Sequence, residues 1–354
     1  MPSEQRTDQS PEGSSRLLFV VNEAHFFVTH RIALAREAVR LGYDVHLAAP
    51  ADHVWAPDSF DISSLASEGI TYHEIPISRR GQRPLEELKS LFYIGRLLLT
   101  LRPGIVHLLT IKPIIYGSIA ARLLGVPLVV CAFTGLGHIF SSAGRGAGLR
   151  RSVVLAALRW GLSSRRAIAI FQSQNDQSAL IEAGAVRESQ SRIIAGSGVD
   201  LTEFLPSPLP TGTPLVIFAG RLIWEKGVSA FVDAARIIQS DGVDVRFAIV
   251  GNTHTSNPRA VPEEMLRKWV KEGTIEWWGR REDMPDVLAQ ARVVCLPTWY
   301  GEGVPRVLIE AAACGRAVVA SDLPGCREVV VDGVSGYLVS TEDADALSLA
   351  LKRL

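Results

Sequence analysis

Two glutamates lie in one short stretch, "YGEGVPRVLIEAAACG" at 300 to 315. Pro305 suits the first position of a helix, where its missing N–H costs nothing, so Glu302 is expected on the loop before that helix and Glu310 about two turns inside it. Val307, Leu308, Ile309, Ala311, Ala312 and Ala313 crowd Glu310 with apolar surface. A carboxylate there keeps its charge only if hydrogen bonds or cations replace the lost water, so Glu310 needs a polar ligand or an arginine. Further upstream, in "GRLIWEKG", Gly220 permits a tight turn, and Arg221 and Lys226 project cations from a loop that should enter a helix at about 227. Cations beside a helix N-terminus suit a diphosphate, which gains charge-assisted hydrogen bonds and the positive end of the helix dipole. The competing reading is a solvated loop in which Arg221 pairs with Glu225.

Elements must bring such residues together. Short β-branched runs ("RLLFVVN", "DVHLAAP", "GIVHLLT", "PLVVCAF") alternate with helical patterns up to about residue 200, and a second series follows from "PLVIFAG" to "AVVAS". That alternation predicts βαβ units on parallel sheets with helices on both faces, an α/β protein with two doubly wound domains. The Pro- and Gly-rich "FLPSPLPTGTP" reads as a linker. The expected organisation is a disordered tail at 1–15, a first domain at 16–203, a linker at 204–213 and a second domain at 214–354. Open α/β sheets bind ligands at the carboxyl ends of their strands, so two such domains are expected to face each other across a cleft. The loops "FAGRLIWEKG", "VGNTHTSNP" and "PTWYGEGVP" all follow second-domain strands. No G-x-G-x-x-G follows the first strand, so a dinucleotide fingerprint is missing.

Composition excludes several classes. A 354-residue chain with 47% hydrophobic content is not mainly disordered, and equal numbers of basic and acidic residues argue against a protein that coats nucleic acid. Runs of ~18 apolar residues are absent and the N-terminus is polar, so neither a spanning segment nor a signal peptide is expected and the chain should stay in the cytosol. Cys131, Cys295, Cys314 and Cys326 lack metal or disulfide spacing and read as reduced packing residues. The neutral total hides an asymmetry: from Leu88 to Asn175 there is no acid, against eleven lysines and arginines. Within it, residues 145–166 carry Arg145, Arg150, Arg151, Arg159, Arg165 and Arg166 around "VVLAAL" and Trp160, a mixture expected to meet an anionic membrane surface. A solvated helix face is the alternative.

Other residues carry weaker signals. His30 and Arg31 should open the first helix, and Lys112 follows "IVHLL" directly, where a phosphate-bearing acceptor could dock. His138 follows a first-domain strand and either faces the ligand or is structural. Asp200 should cap a short turn, and "DAD" at 343 to 345 should form the first turn of a helix. The histidines show no metal spacing, and no metal or cofactor is expected.

Together, "GRLIWEKG" and "GEGVPRVLIEAAACGRAVVASDLPGCREVV" resemble the retaining nucleotide-sugar glycosyltransferases of family 4, which have the GT-B fold. In the first domain, "FFVTHRIALAREAVRLGYDVHLAAP", "HLLTIKPIIYGSIAARLLGVP" and "TGLGHIF" are similar to the branch acting on undecaprenyl-diphosphate-linked acceptors. The resemblance runs from Leu17 to Val339. It implies that Glu310 binds the nucleotide ribose, that Glu302 faces the transferred sugar, and that Arg221 and Lys226 stabilise the leaving diphosphate. Gly220 and the N–H groups of Gly303, Val304 and Arg306 would complete the donor site, and His30, Arg31, Lys112 and His138 would meet the acceptor. It also implies a nucleoside diphosphate sugar, UDP-linked, as donor, a lipid-linked saccharide as acceptor, and a peripheral position on the inner face of the plasma membrane. The Gly-Gly loop common after the first strand is replaced here by "NEAHFF". Two alternatives stand beside this reading: a nucleotide-sugar epimerase on the same fold, and a non-catalytic fragment, since family members usually continue through a C-terminal crossover helix.

Overall fold

The computed structural model describes residues 15–51, 60–77, 84–136, 147–253, 257–301 and 303–354. The chain forms two compact units, Met1–Ile194 and Ala195–Leu354. Among the described residues the first holds seven strands: β1 (Arg16–Val20), β2 (Asp44–Ala49), β3 (Ile70–Glu74), β4 (Ile105–Leu109), β5 (Leu128–Phe133), β6 (Ala167–Phe171) and β7 (Ser191–Ile193). They pair entirely in parallel in the order β3-β2-β1-β4-β5-β6-β7. Strand alternation divides β1 between two cores. Leu17, Phe19 and Val21 pack with Phe27, Ala35 and Ala38 of the helix Ala24–Arg40, while Leu18 and Val20 pack with Ile94, Leu98, Ile114 and Leu158. Those last four come from helices Pro84–Leu101, Ile111–Leu124 and Ala147–Leu162, so helices cover both faces and the central strands are apolar on both sides.

The second unit repeats the plan with β8 (Leu215–Ala219), β9 (Arg246–Val250), β10 (Glu276–Gly279), β11 (Val293–Leu296), β12 (Ala317–Ser321) and β13 (Gly336–Val339), all parallel, in the order β10-β9-β8-β11-β12-β13. Every residue of β8 is buried, as its central place requires. In each sheet the strand order reverses beside the first strand, between β1 and β4 and between β8 and β11. Crossover helices leave in opposite directions there, which opens a crevice at the carboxyl ends.

The join between units falls earlier than the linker expected at 204–213. Phe204 is buried in the second unit's core and Val199 packs against it, so this stretch folds with the second domain. Two helix starts also differ from expectation. The first helix begins at Ala24, which places His30 and Arg31 in its second turn instead of at its opening. Its start has no side-chain cap on Glu23, and the buried spacing of Ala24, Phe27, Ala35 and Ala38 sets the helix, which takes in the "AHFF" of "NEAHFF". Pro305 is the N-cap rather than the first helical residue, so in Arg306–Ala313 Glu310 sits one turn in rather than two.

Candidate active site

The chain after β8 turns at Gly220, passes Arg221 and forms a short 3₁₀ turn, Trp224–Lys226, before the helix Val228–Ser240. Gly220 N–H donates to Val250 O and Gly251 N–H to Gly279 O, which binds the carboxyl ends of β8, β9 and β10 together. Gly251 has φ 146°, and a Cβ there would stand 2.0 Å from Gly220 O, so only glycine lets these ends close up.

The decisive contact joins this turn to the loop after β11. Glu225 O accepts from Thr298 Oγ1 at 2.9 Å, Trp299 N–H at 3.0 Å and Tyr300 N–H at 3.3 Å. Gly227 lies against the same loop, with φ 79° and no room for a Cβ, which would fall 1.9 Å from Pro297 O. The two stretches singled out in the sequence therefore meet at the switch point between β8 and β11. Lys226 is buried there and Arg221 is exposed. The expected alternative for Arg221 does not occur: Glu225 is buried and pairs with Arg259 at 2.7 Å.

From Gly301 the chain leads to Gly303, which is buried, and Val304, which is half-buried. Glu302 lies outside the described residues. On the helix that follows, Glu310 is 7% exposed and its Oε1 lies 2.7 Å from Arg306 Nε, close enough for an ion pair but without hydrogen-bond alignment. The arginine anticipated as an alternative partner for Glu310 is thus Arg306, one turn back. Burial still outweighs that cation and raises the carboxyl pKa above its usual range. The carboxylate is incompletely compensated, so hydroxyl donors of a ligand would have a ready acceptor.

In the first unit the expected acceptor residues separate. Lys112, in the first turn of the helix after β4, is neutralised by Glu87 at 2.8 Å, and Glu87 also accepts from the Tyr116 hydroxyl. His30 stacks on Phe26 at 4.4 Å, and its Nδ1 lies 2.7 Å from Thr29 Oγ1. Arg31 differs from both. It is half-buried, donates to His30 O at 3.2 Å, and no carboxylate among the described residues pairs with it. Burial lowers its pKa, and its charge adds to the burial that pushes His107 on β4 down to about 4. His138 lies outside the described residues.

Sequence reasoning missed three residues here. Thr298 ties the two second-unit loops, His107 is buried in β4 with Nε2 unpartnered, and Thr110, at the end of β4, has φ 69° with its hydroxyl buried and unpartnered. A positive φ is costly for a β-branched residue, and nothing in its neighbours' types announces it. Asp200 does accept from Thr202 N–H and Oγ1, and Asp343 caps the last helix through Ala346 N–H. No group of three or more metal-ligating side chains stands among the described residues.

A cationic loop and an incompletely compensated acid, on elements that follow the two strands flanking one switch point, would suit a nucleotide with a diphosphate. A family model described as "Glycosyl transferases group 1" matches residues 213–354, and one described as "Glycosyl transferase 4-like" matches residues 16–173. Each half of the chain thus matches a model of glycosyltransferases. The chain is 26% identical over 308 residues to the N,N'-diacetylbacillosaminyl-diphospho-undecaprenol alpha-1,3-N-acetylgalactosaminyltransferase of Campylobacter jejuni, covering 83% of this chain and 79% of that one. It is also 26% identical over 315 residues to the Escherichia coli UDP-Gal:alpha-D-GlcNAc-diphosphoundecaprenol alpha-1,3-galactosyltransferase, with 84% and 78% covered. Among solved structures, Anabaena HepE in complex with UDP and glucose aligns with TM-score 0.73 at 21% identity, over 95% of this chain and 89% of that one. The fold is GT-B, as the motifs implied.

Proposed function

We propose that this protein is a retaining glycosyltransferase that moves a hexose or N-acetylhexosamine from a UDP-linked sugar to a lipid-diphosphate-linked saccharide during assembly of a cell-surface glycan. The observation that carries the reading is the junction at Glu225 O, which ties the turn bearing Lys226 to residues 298–300, just ahead of the 303–310 segment in the chain. Arg221 and Lys226 take up charge on the leaving diphosphate, and Glu310 accepts from the ribose hydroxyls. Glu302 positions the transferred sugar, with Gly220 and the N–H groups of Gly303, Val304 and Arg306 holding donor oxygens. In a retaining reaction the leaving diphosphate assists removal of the acceptor hydroxyl proton on the same face, so the protein mainly stabilises negative charge.

Arg31 is the best placed of the first-unit residues for an acceptor phosphate, because it is a partly buried cation that pairs with no acid among the described residues. His30, Lys112 and His138 complete the proposed acceptor set. Among the described residues no helix is long and apolar enough to cross a membrane. In this reading the lipid-linked acceptor is met at the cytoplasmic surface of the plasma membrane, with residues 145–166 against anionic lipid.

The test is transfer from UDP-sugars to a short-chain polyprenyl-diphosphate saccharide, with the product's anomeric configuration read by NMR. Donor and product of the same configuration are expected, and inversion would refute the retaining assignment. Arg31→Gln should raise the acceptor KM and leave UDP affinity unchanged. An unchanged acceptor KM would remove Arg31 from the acceptor site.

A further inference from the structure

We propose that the outer face of helix Pro84–Leu101 is the apolar anchor by which the first domain enters an anionic bilayer. The proposal rests on the reading of the acceptor as lipid-linked and deepens it. Leu85 is 81% exposed and Phe92 63% exposed; Leu88 and Leu99 are exposed as well. Their spacing places them on one side of the helix, opposite Ser90, Ile94 and Leu98, which are buried. An α-helix that packs one apolar stripe into the core and turns a second outward is missing a partner on its outer side.

The surroundings say which partner. Helix Pro84–Leu101 packs on Ile111–Leu124, which packs on Ala147–Leu162, so the three form one layer. Exposed Leu123, Leu149, Val153 and Trp160 extend the apolar surface over the other two helices. Lys89, Arg96, Arg102, Arg122, Arg151 and Arg159 are exposed among them, and no acidic residue occurs between Leu88 and Asn175. Glu87, just before, is held by Lys112 and Tyr116. Arg122 lies over the Trp160 ring, 4.5 Å from its centroid, and Lys89 over Tyr93 at 5.8 Å. Aromatic rings with cations beside them belong at a headgroup boundary, where the ring meets acyl chain and the charge meets phosphate. Two copies docked face to face would instead bring their cations together unrelieved, so this charge pattern favours lipid over self-association.

The protein itself makes the test simple, because Cys131, Cys295, Cys314 and Cys326 are all buried. A Phe92→Cys variant can carry a single environment-sensitive fluorophore at the anchor. Its emission should rise with phosphatidylglycerol-containing vesicles and stay flat with pure phosphatidylcholine. Leu88→Ser combined with Phe92→Ser should weaken co-sedimentation with anionic vesicles by about 100-fold, while UDP affinity stays at the wild-type value. Vesicle binding without any emission change at position 92 would overturn the anchor and leave the membrane reading intact. Failure of the wild type to bind anionic vesicles would overturn both. A wild-type dimer that the double serine variant converts to monomer would show the face to be a self-association surface and would also overturn the anchor.

Discussion

Replacing Thr298 by valine would separate the junction between the two loops from the groups it positions. Valine keeps the shape of threonine but removes the donor that reaches Glu225 O at 2.9 Å. The carbonyl would still accept from Trp299 and Tyr300 N–H, so no buried acceptor is orphaned. The loss should be that of one neutral buried hydrogen bond, about 1 kcal/mol. For a unit of the size of Ala195–Leu354, that corresponds to a fall in Tm of about 2–4 °C. The effect on turnover should be larger than the stability change suggests. Lys226 is the next residue after Glu225, and a displacement of about 1 Å at a charge-stabilising group can cost about 10²-fold in rate. Calorimetry for Tm, titration with UDP and single-turnover transfer measure the three quantities separately, and Thr298→Ser should restore all of them. A valine variant with the expected Tm but wild-type turnover would refute the claim that this junction sets the position of Lys226.

Lys226→Ala should lower turnover with saturating donor by about 10²- to 10³-fold, and near-normal turnover would remove it from the donor site. Glu310→Gln should weaken UDP binding by about tenfold or more, as loss of a hydrogen bond to a charged group does. Because burial raises the Glu310 pKa, its contribution to stability falls as pH rises from the ordinary carboxylate range through the raised folded value. The glutamine variant should lack that decline and be no less stable at pH 7, checked by urea unfolding across pH. His107 runs the other way: with its pKa lowered to about 4, folding favours the neutral ring, and stability is lost as pH falls from about 6.5 through 4. The full loss would be about 3 kcal/mol, and His107→Phe should flatten that acid slope in pH-dependent thermal unfolding.

What could be read from the sequence was local. The strand alternation, the loop at Gly220 to Lys226 and the helix bearing Glu310 depend on neighbours in the chain, as do the Asp200 turn and the Asp343 cap. What could not be read was pairing across distance. Nothing near Lys112 announces Glu87, and nothing near Glu225 announces Thr298 or Arg259. Helix starts were legible where a glycine turn, a proline or a capping side chain marks them, as at Val228, Arg306 and Ala344. Ser173 and Asp343 cap theirs, but Glu23 makes no capping bond, so the first helix carried no local mark of where it begins. The exposed stripe on helix Pro84–Leu101 was equally hidden, because leucines on its inner and outer faces look alike in one dimension.

That stripe bears on how the protein behaves in a tube. With equal numbers of acidic and basic residues, the molecules carry little net repulsion near neutral pH, and the cations around the stripe oppose its face-to-face pairing but not its contact with other, more acidic surfaces of a second molecule. Solubility should therefore pass through a minimum near pH 7 and improve with acid, base, or a mild detergent that occupies the stripe. A preparation that stays clear in detergent and clouds on dialysis into neutral buffer would be a folded protein losing its cover, and light scattering beside circular dichroism would distinguish that from unfolding.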